Sequence, residues 1–343
     1  MINPKASPTT SEPARPAFGT VLTSHMAVAS YAEGQWSKTE MQPVAPIELS
    51  PAAHVLHYAS TCFEGFKAFR HADGSVHIFR MDRHIQRLRQ SARQLVLPEP
   101  DAAQLGDMVR AVINRCRDAV PEAPGALYLR PLLIGTTANI GAAATPASEA
   151  MLMVLASPVW DYFAGGPKPL RILVDDENTR SAAQMGMVKT GGNYAAALGP
   201  TLRARARYQV DQVLFCPRGE VQETGAANFL LIAKNKLLTR GLDASFLHGV
   251  TRDSLLTMAR DLGFEVSERV FDVKEMLEWV KTGEAALSGT AAVLAGVGTL
   301  IYKGTEQSVS GGEVGPLTRA LRAQLVAIQR GEAPDRHGWL ERV

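Results

Sequence analysis

From about residue 168 onward the apolar residues come in short runs broken by turns, and this cadence constrains the fold more than any other feature of the chain. Runs at 170–174, 212–216, 228–233, 236–239, 264–270, 284–288 and 298–302 read as strands, while helical spacing shows at about Thr251 to Leu262 and at 273–280. Many short strands with few helices fit a closed or barrel-like sheet better than a doubly wound one. One more helix is expected in the tail. There Leu317, Leu321, Leu325 and Ile328 recur with helical period, and Pro316 suits a first-turn position.

The preceding part of the chain mixes the two periods. Ser75 to Phe79 is a short β-like run, and a helix starts near Asp82, its plausible cap, with Ile85, Leu88, Ala92 and Leu95 on one face. A second helix is expected over Ala102 to Ala119, with Leu105, Met108, Val109, Val112, Ile113 and Cys116 inward, followed by strands at Ala126 to Ile134 and Ala150 to Ala156. Helices interleaved with strands make this an α/β (α+β) unit with landmarks beyond Pro43. The expected division is a loose, Pro-, Ser- and Thr-rich arm over 1–20, a small α/β domain over 21–156, an interdomain loop over 157–167 and a large domain over 168–343. The loop carries aromatics that a mere linker would not need, so it is expected to face a cleft.

Composition matters here mostly for what it excludes. A chain of 343 residues, 46% apolar and 20% charged, has room for about two ordinary cores. The formal charge of +2, with Arg203, Arg205 and Arg207 read as a solvated face, disfavours nucleic acid as a partner. Cys62, Cys116 and Cys216 are odd in number and far apart, which suits a reducing, cytoplasmic setting better than a disulfide scaffold. No apolar run is long enough to span a membrane. The histidines lack the spacing of metal ligands, and neither a dinucleotide fingerprint nor the Gly-x-x-x-x-Gly-Lys-Ser/Thr loop that cradles nucleoside triphosphates is present.

The residues that could carry chemistry cluster around turns. Lys189 lies in Val188-Lys189-Thr190-Gly191-Gly192-Asn193-Tyr194, and Glu223 opens a second small-residue turn. The pair suggests a lysine that forms a Schiff base with pyridoxal phosphate and an acid for its ring nitrogen. Alone it proves little, because most lysines are solvated and a buried Glu223 would be served equally well by a backbone or arginine partner. Arg87 could reach over a helix edge toward a phosphate or simply be a surface arginine. Gly249-Val250-Thr251-Arg252-Asp253 runs a glycine turn into a helix with free N–H groups, unless Thr251 merely caps it, and Gly289-Thr290-Ala291-Ala292 is a further turn with exposed amides. Tyr58, Phe63, Tyr128, Tyr162 and Tyr194 could line a substrate pocket, though aromatics are more often core.

Taken in order, these motifs resemble the fold type IV aminotransferases that use pyridoxal 5'-phosphate, and among them the branched-chain amino acid aminotransferases. The matching stretches also include His57-Tyr58 through Phe63-Glu64-Gly65, His84 through Leu88 and Tyr128-Leu129-Arg130-Pro131, so that the resemblance covers about residues 30 to 305. It implies that Lys189 holds the cofactor and moves the proton, that Glu223 keeps the ring nitrogen protonated, and that Tyr194 lies by the phenolic oxygen. Arg87, Val250 (through its N–H), Thr251 and Thr290 would hold the phosphate. Tyr128, Thr290 and Ala291 would receive the substrate carboxylate, Tyr58, Phe63 and Tyr162 would wall the side-chain pocket, and Arg130 would sit where a glutamate side chain is accommodated.

The implied reaction moves the amino group of L-leucine, L-isoleucine or L-valine to 2-oxoglutarate, giving the 2-oxo acid and L-glutamate, in a homodimer with no metal. A D-amino acid or amine transaminase, or a lyase, of the same fold is the nearer alternative, and a noncatalytic small-molecule binding protein the more distant one. His248 stands where the family commonly has proline, and Ala226 where a small glycine-like residue is common. Pro200 should bend or restart the helix expected over Asn193 to Arg207.

Overall fold

The computed structural model describes residues 16–160 and 168–343, which form two units, each built on its own sheet. The first sheet takes β1 (His25–Ala32), β2 (Gln35–Trp36), β3 (Glu40–Pro43), β4 (Thr61–Phe63), β5 (Phe66–Arg70), β6 (Val76–Phe79), β7 (Ala126–Gly135) and β8 (Ala150–Val159). β7 and β8 pair antiparallel along their whole length, from Ala126 opposite Val159 to Gly135 opposite Ala150. Ser157 and Pro158, expected in the loop, are therefore strand residues, and of that loop 161–167 lie outside the described residues.

A short helix α1 (His54–Tyr58) precedes β4, and α2 (Met81–Gln94) and α3 (Ala102–Arg115) cover the sheet. Leu88 and Ala92 of α2 and Leu105, Met108 and Val112 of α3 share one core with Phe66, Ile78, Leu129 and Val154. Burying each large apolar side chain contributes roughly 1.5–3 kcal/mol. Asp101 caps α3 by accepting the Gln104 N–H. Asp82 does not cap α2. That helix starts one residue earlier, Arg80 takes the cap position at φ 55°, and Asp82 instead places its charge in the positive first turn. The expected second helix is also shorter, a separate 3-10 turn at Arg117–Ala119 finishing it.

The second unit runs β9 (Leu170–Asp175), α4 (Gly191–Tyr208), β10 (Gln212–Phe215), β11 (Asn228–Ala233), β12 (Lys236–Thr239), α5 (Val250–Asp261), β13 (Glu265–Glu268), α6 (Val273–Trp279), β14 (Glu284–Gly289), β15 (Val293–Tyr302), β16 (Thr305–Ser308) and α7 (Pro316–Gln329). Its sheet has the order β10-β9-β15-β14-β11-β12-β13 and does not close, so the barrel-like sheet is a half-barrel. α4 is neither divided nor restarted at Pro200. Beside the hydrogen bond that the proline forgoes, the Thr201 hydroxyl donates to the Ala197 carbonyl at 2.8 Å.

An apolar cluster joins the units, with Phe69, Phe79, Ala126 and Val159 meeting Leu230, Leu255, Ala286 and Leu325. The end of the chain joins them as well. β17 (Leu340–Arg342) crosses back and pairs with β6, Leu340 opposite Phe79, so the last residues of the expected 168–343 domain belong to the first sheet. Among the described residues no helix is long and apolar enough to cross a membrane.

Candidate active site

Residues of both units meet around Lys189. Lys189 ends a long loop that Asn193 pins from below, its amide donating to the Met185 and Val188 carbonyls at 2.7 and 2.8 Å. A tight turn, Thr190 N–H to Val188 carbonyl at 3.1 Å, presents the lysine. Its own backbone reaches the other unit: its N–H donates to Ser91 Oγ of α2 at 3.0 Å, and its carbonyl accepts the Phe63 N–H of β4 at 3.0 Å. One turn into α4, Tyr194 brings its hydroxyl to accept from Lys189 Nζ at 2.8 Å.

Glu223 occupies the turn between β10 and β11 and is 1% exposed. Its Oε1 accepts the Leu247 N–H at 2.8 Å and its Oε2 accepts the Asn228 amide at 3.0 Å, while Arg180 Nε stands 3.0 Å from Oε1. Both partners left open by the sequence, backbone and arginine, are thus present. Burial pushes the carboxyl up to about 7, against the pull of Arg180, the Leu247 N–H, Lys189 and Arg87.

Arg87 is not a surface residue. It is buried, and its Nε and Nη2 donate to the two oxygens of Glu64 at 2.7 and 2.9 Å, while its Nη1 donates to the His248 carbonyl at 2.9 Å. Of five guanidinium hydrogens two remain, one on each Nη. Glu64, also buried, is shared with His84, whose Nδ1 lies 2.7 Å from Oε2. Burial pushes the His84 imidazole below its ordinary value against the pull of Glu64, and its Nδ1 faces the carboxylate as a donor.

His248 leads into α5, whose cap residue is Gly249 with no side-chain cap; Thr251 is buried in the first turn and caps nothing. The amides of Val250, Thr251 and Arg252 there form an uncapped helix N-terminus beside Arg87, a suitable seat for a phosphate. The Thr290–Ala291 turn joins β14 to β15 and lines one cavity with Thr224 and Ala226 of the Glu223 turn. It is tightly wound: Val293 has φ 64° and the Leu294 N–H closes on the Ala292 carbonyl at 2.8 Å, a costly conformation for a β-branched residue.

Phe63, Tyr128 and Arg130 form the wall on the lysine side. The Arg130 guanidinium lies 4.6 Å from the Phe63 ring centre and its Nη2 donates to the Tyr128 hydroxyl at 3.0 Å, while Lys189 Nζ lies 5.0 Å from the same Phe63 ring. Tyr58 tilts its ring over His54 at 4.8 Å, and its hydroxyl donates to the Ile140 carbonyl. Tyr162 lies outside the described residues. Among the described residues no group of three or more His, Cys, Asp or Glu is placed to hold a metal ion.

The family described as amino-transferase class IV matches residues 61–299. A probable branched-chain-amino-acid aminotransferase of Streptomyces coelicolor is 41% identical over 337 residues, which cover 95% of this chain and 92% of that protein. The chain belongs to the class IV branched-chain-amino-acid aminotransferases. The branched-chain-amino-acid aminotransferase of Mycobacterium tuberculosis is 40% identical over 343 residues, 96% of this chain and 92% of that one. The two-unit fold is also that of the solved branched-chain amino acid aminotransferase from Escherichia coli, at TM-score 0.74 and 25% identity, covering 93% of this chain and 98% of the other.

Within this aminotransferase, sequence reasoning missed several residues around the site. Glu64 and His84 sat inside recognised motifs without a role. Phe18, in the supposedly loose arm, sets its ring edge-on to Tyr128 at 4.9 Å. A lone aromatic in a Pro-, Ser- and Thr-rich stretch was the available signal. Arg180 carried no local signal at all.

Proposed function

We propose that this aminotransferase uses pyridoxal 5'-phosphate to pass the amino group of L-leucine, L-isoleucine or L-valine to 2-oxoglutarate, giving the 2-oxo acid and L-glutamate. The observation that carries the reading is Lys189 Nζ at 2.8 Å from the Tyr194 hydroxyl, within electrostatic reach of a carboxylate buried at Glu223. The donor set suits the cofactor. A buried acid pushed up to about 7 gains from facing a cation such as a protonated ring nitrogen, and an uncapped helix end beside a half-committed arginine suits a phosphate dianion. When bound, pyridoxal phosphate supplies a carbon for the lysine to bond and, with its ring nitrogen protonated, a sink for the electrons left as the substrate loses its α-proton.

The protein's part is binding, orientation and proton transfer. The two spare Arg87 hydrogens, the Val250 N–H, Thr251 and Thr290 take the phosphate. Glu223 holds the ring nitrogen's proton in place, and the Tyr194 hydroxyl faces the phenolic oxygen. Lys189 Nζ would take the substrate's α-proton and return it to the cofactor's carbon on the far side of the amino nitrogen. Tyr128 and the Thr290 and Ala291 amides receive the α-carboxylate. Tyr58 and Phe63 wall the aliphatic pocket, and Arg130 accommodates the glutamate side chain, so that one pocket serves both substrates. A homodimer is the expected assembly.

The test is the visible spectrum of the purified protein. The cofactor band should vanish with L-leucine and return with 2-oxoglutarate. A band that answers D-alanine or a simple amine but not L-leucine would replace the substrate assignment, and no band after reconstitution would remove the cofactor.

A further inference from the structure

Arg180 is 2% exposed, on the loop that leads to Lys189, and neither its Nε nor its Nη1 completes a hydrogen bond. A guanidinium cannot shed its charge by deprotonation, so at this depth it costs stability unless an anion faces it. Among the described residues Glu223 is the anion paired with it, Arg180 Nε lying 3.0 Å from Oε1 and both side chains 2% exposed. The carboxylate's other close partners, the Leu247 N–H and the Asn228 amide, are neutral. Lys189 and Arg87 also act on it, but after Arg180 in strength.

We propose that Arg180 is a positioning residue: it keeps Glu223 ionised and turned toward the cofactor's ring nitrogen, so that this nitrogen keeps its proton. The inference rests on the proposed cofactor and adds a residue that acts through Glu223. With neutral donors alone, a carboxyl buried this deeply favours its protonated form, and a protonated Glu223 has no charge with which to hold a pyridinium. The balance is already close, since burial holds Glu223 at about 7 with Arg180 in place.

Two nuclei report on this without relying on turnover: the carboxyl carbon of ¹³C-glutamate-labelled protein, assigned by difference against Glu223→Gln, and the ring nitrogen of ¹⁵N-labelled pyridoxal phosphate in the holoenzyme. Arg180→Met should raise the Glu223 titration of the cofactor-free protein by about one to three pH units. It should also move the ring-nitrogen signal toward its unprotonated position and lower kcat with little change in KM. Arg180→Lys should restore most of each. Unmoved signals in a merely less stable Arg180→Met protein would overturn the proposal.

Should that variant not fold, the Arg180→Met/Glu223→Gln pair leaves no buried charge alone. Removing Arg180 from a Glu223→Gln background should cost no further kcat, and additive losses would refute the coupling. Failure of the wild-type protein to bind pyridoxal phosphate would sink the cofactor reading instead, while the carbon titration would still decide whether Arg180 governs Glu223.

Discussion

Arg87 meets Glu64 side-on, Nε to Oε1 at 2.7 Å and Nη2 to Oε2 at 2.9 Å, in a pair from which water is excluded. Such a pair fixes the plane of the guanidinium and leaves its last two hydrogens pointing away from Glu64. Glu64→Gln replaces one acceptor with a donor and strands a buried cation. Losing one partner of a buried pair costs about 3–5 kcal/mol. The urea midpoint should fall accordingly and pyridoxal phosphate should dissociate faster on dilution; an unchanged midpoint would count against the pairing.

The same pair sets an acid limit. Burial alone would push Glu64 up, but Arg87 and His84 outweigh it and hold the carboxyl well below its ordinary 4.5. As pH falls the unfolded chain takes up this proton first, so the contribution is complete above pH 4.5 and is lost below it. Wild-type stability should drop more steeply than that of Glu64→Gln between pH 4.5 and about pH 3. Parallel curves would show that other carboxylates govern the limb.

Gly65 sits under Tyr128 so closely that a Cβ there would stand 1.8 Å from the hydroxyl oxygen. Gly65→Ala must therefore displace Tyr128 and break its 3.0 Å hydrogen bond from Arg130. Overpacking of this kind costs about 1–3 kcal/mol. KM for the amino acid and for 2-oxoglutarate should both rise about tenfold or more, with the cofactor spectrum unchanged. A rise for one substrate alone would separate Tyr128 from Arg130.

Lys189→Ala should abolish turnover while leaving the thermal midpoint near wild type, because the Nζ hydrogen bond is made to Tyr194 on the half-buried cleft wall. Retained steady-state activity would remove the lysine from its role. Tyr194→Phe deletes one hydrogen bond to a charged group, about 1.5–3 kcal/mol, and should lower kcat roughly tenfold or more. Wild-type kcat would show that the hydroxyl is a bystander.

What could be read from the sequence followed from how local its signal was. Lys189 to Tyr194 and Glu223 to Asn228 carry their residue types within a few positions, so motif reading reached them. Arg180 and Glu223 meet only through the tertiary fold, and no spacing rule joins them. β1 was missed because Met26 to Ala29 are all buried, covered on both faces, and so do not alternate. β15 was expected only from 298, since Gly296 and Gly298 look like punctuation. They lie inside the strand because a Cβ would come 2.8 Å from Val314 Cγ1 at one and 2.6 Å from Pro169 Cβ at the other. Pro200 pointed to a bend or a restart, and the helix does not restart there.

The return of β17 to β6 makes the second unit, in topological terms, an insertion within the first. Val343 N–H closes on the Val76 carbonyl at 2.9 Å, and Arg117 reaches the Val343 carbonyl at 3.1 Å. The edge of the first sheet at β6 is thus completed by residues that follow the whole of the second unit in the chain. During synthesis that edge stands uncovered until β17 is made, so the nascent protein presents an open strand to its neighbours for as long as the second unit takes to be made.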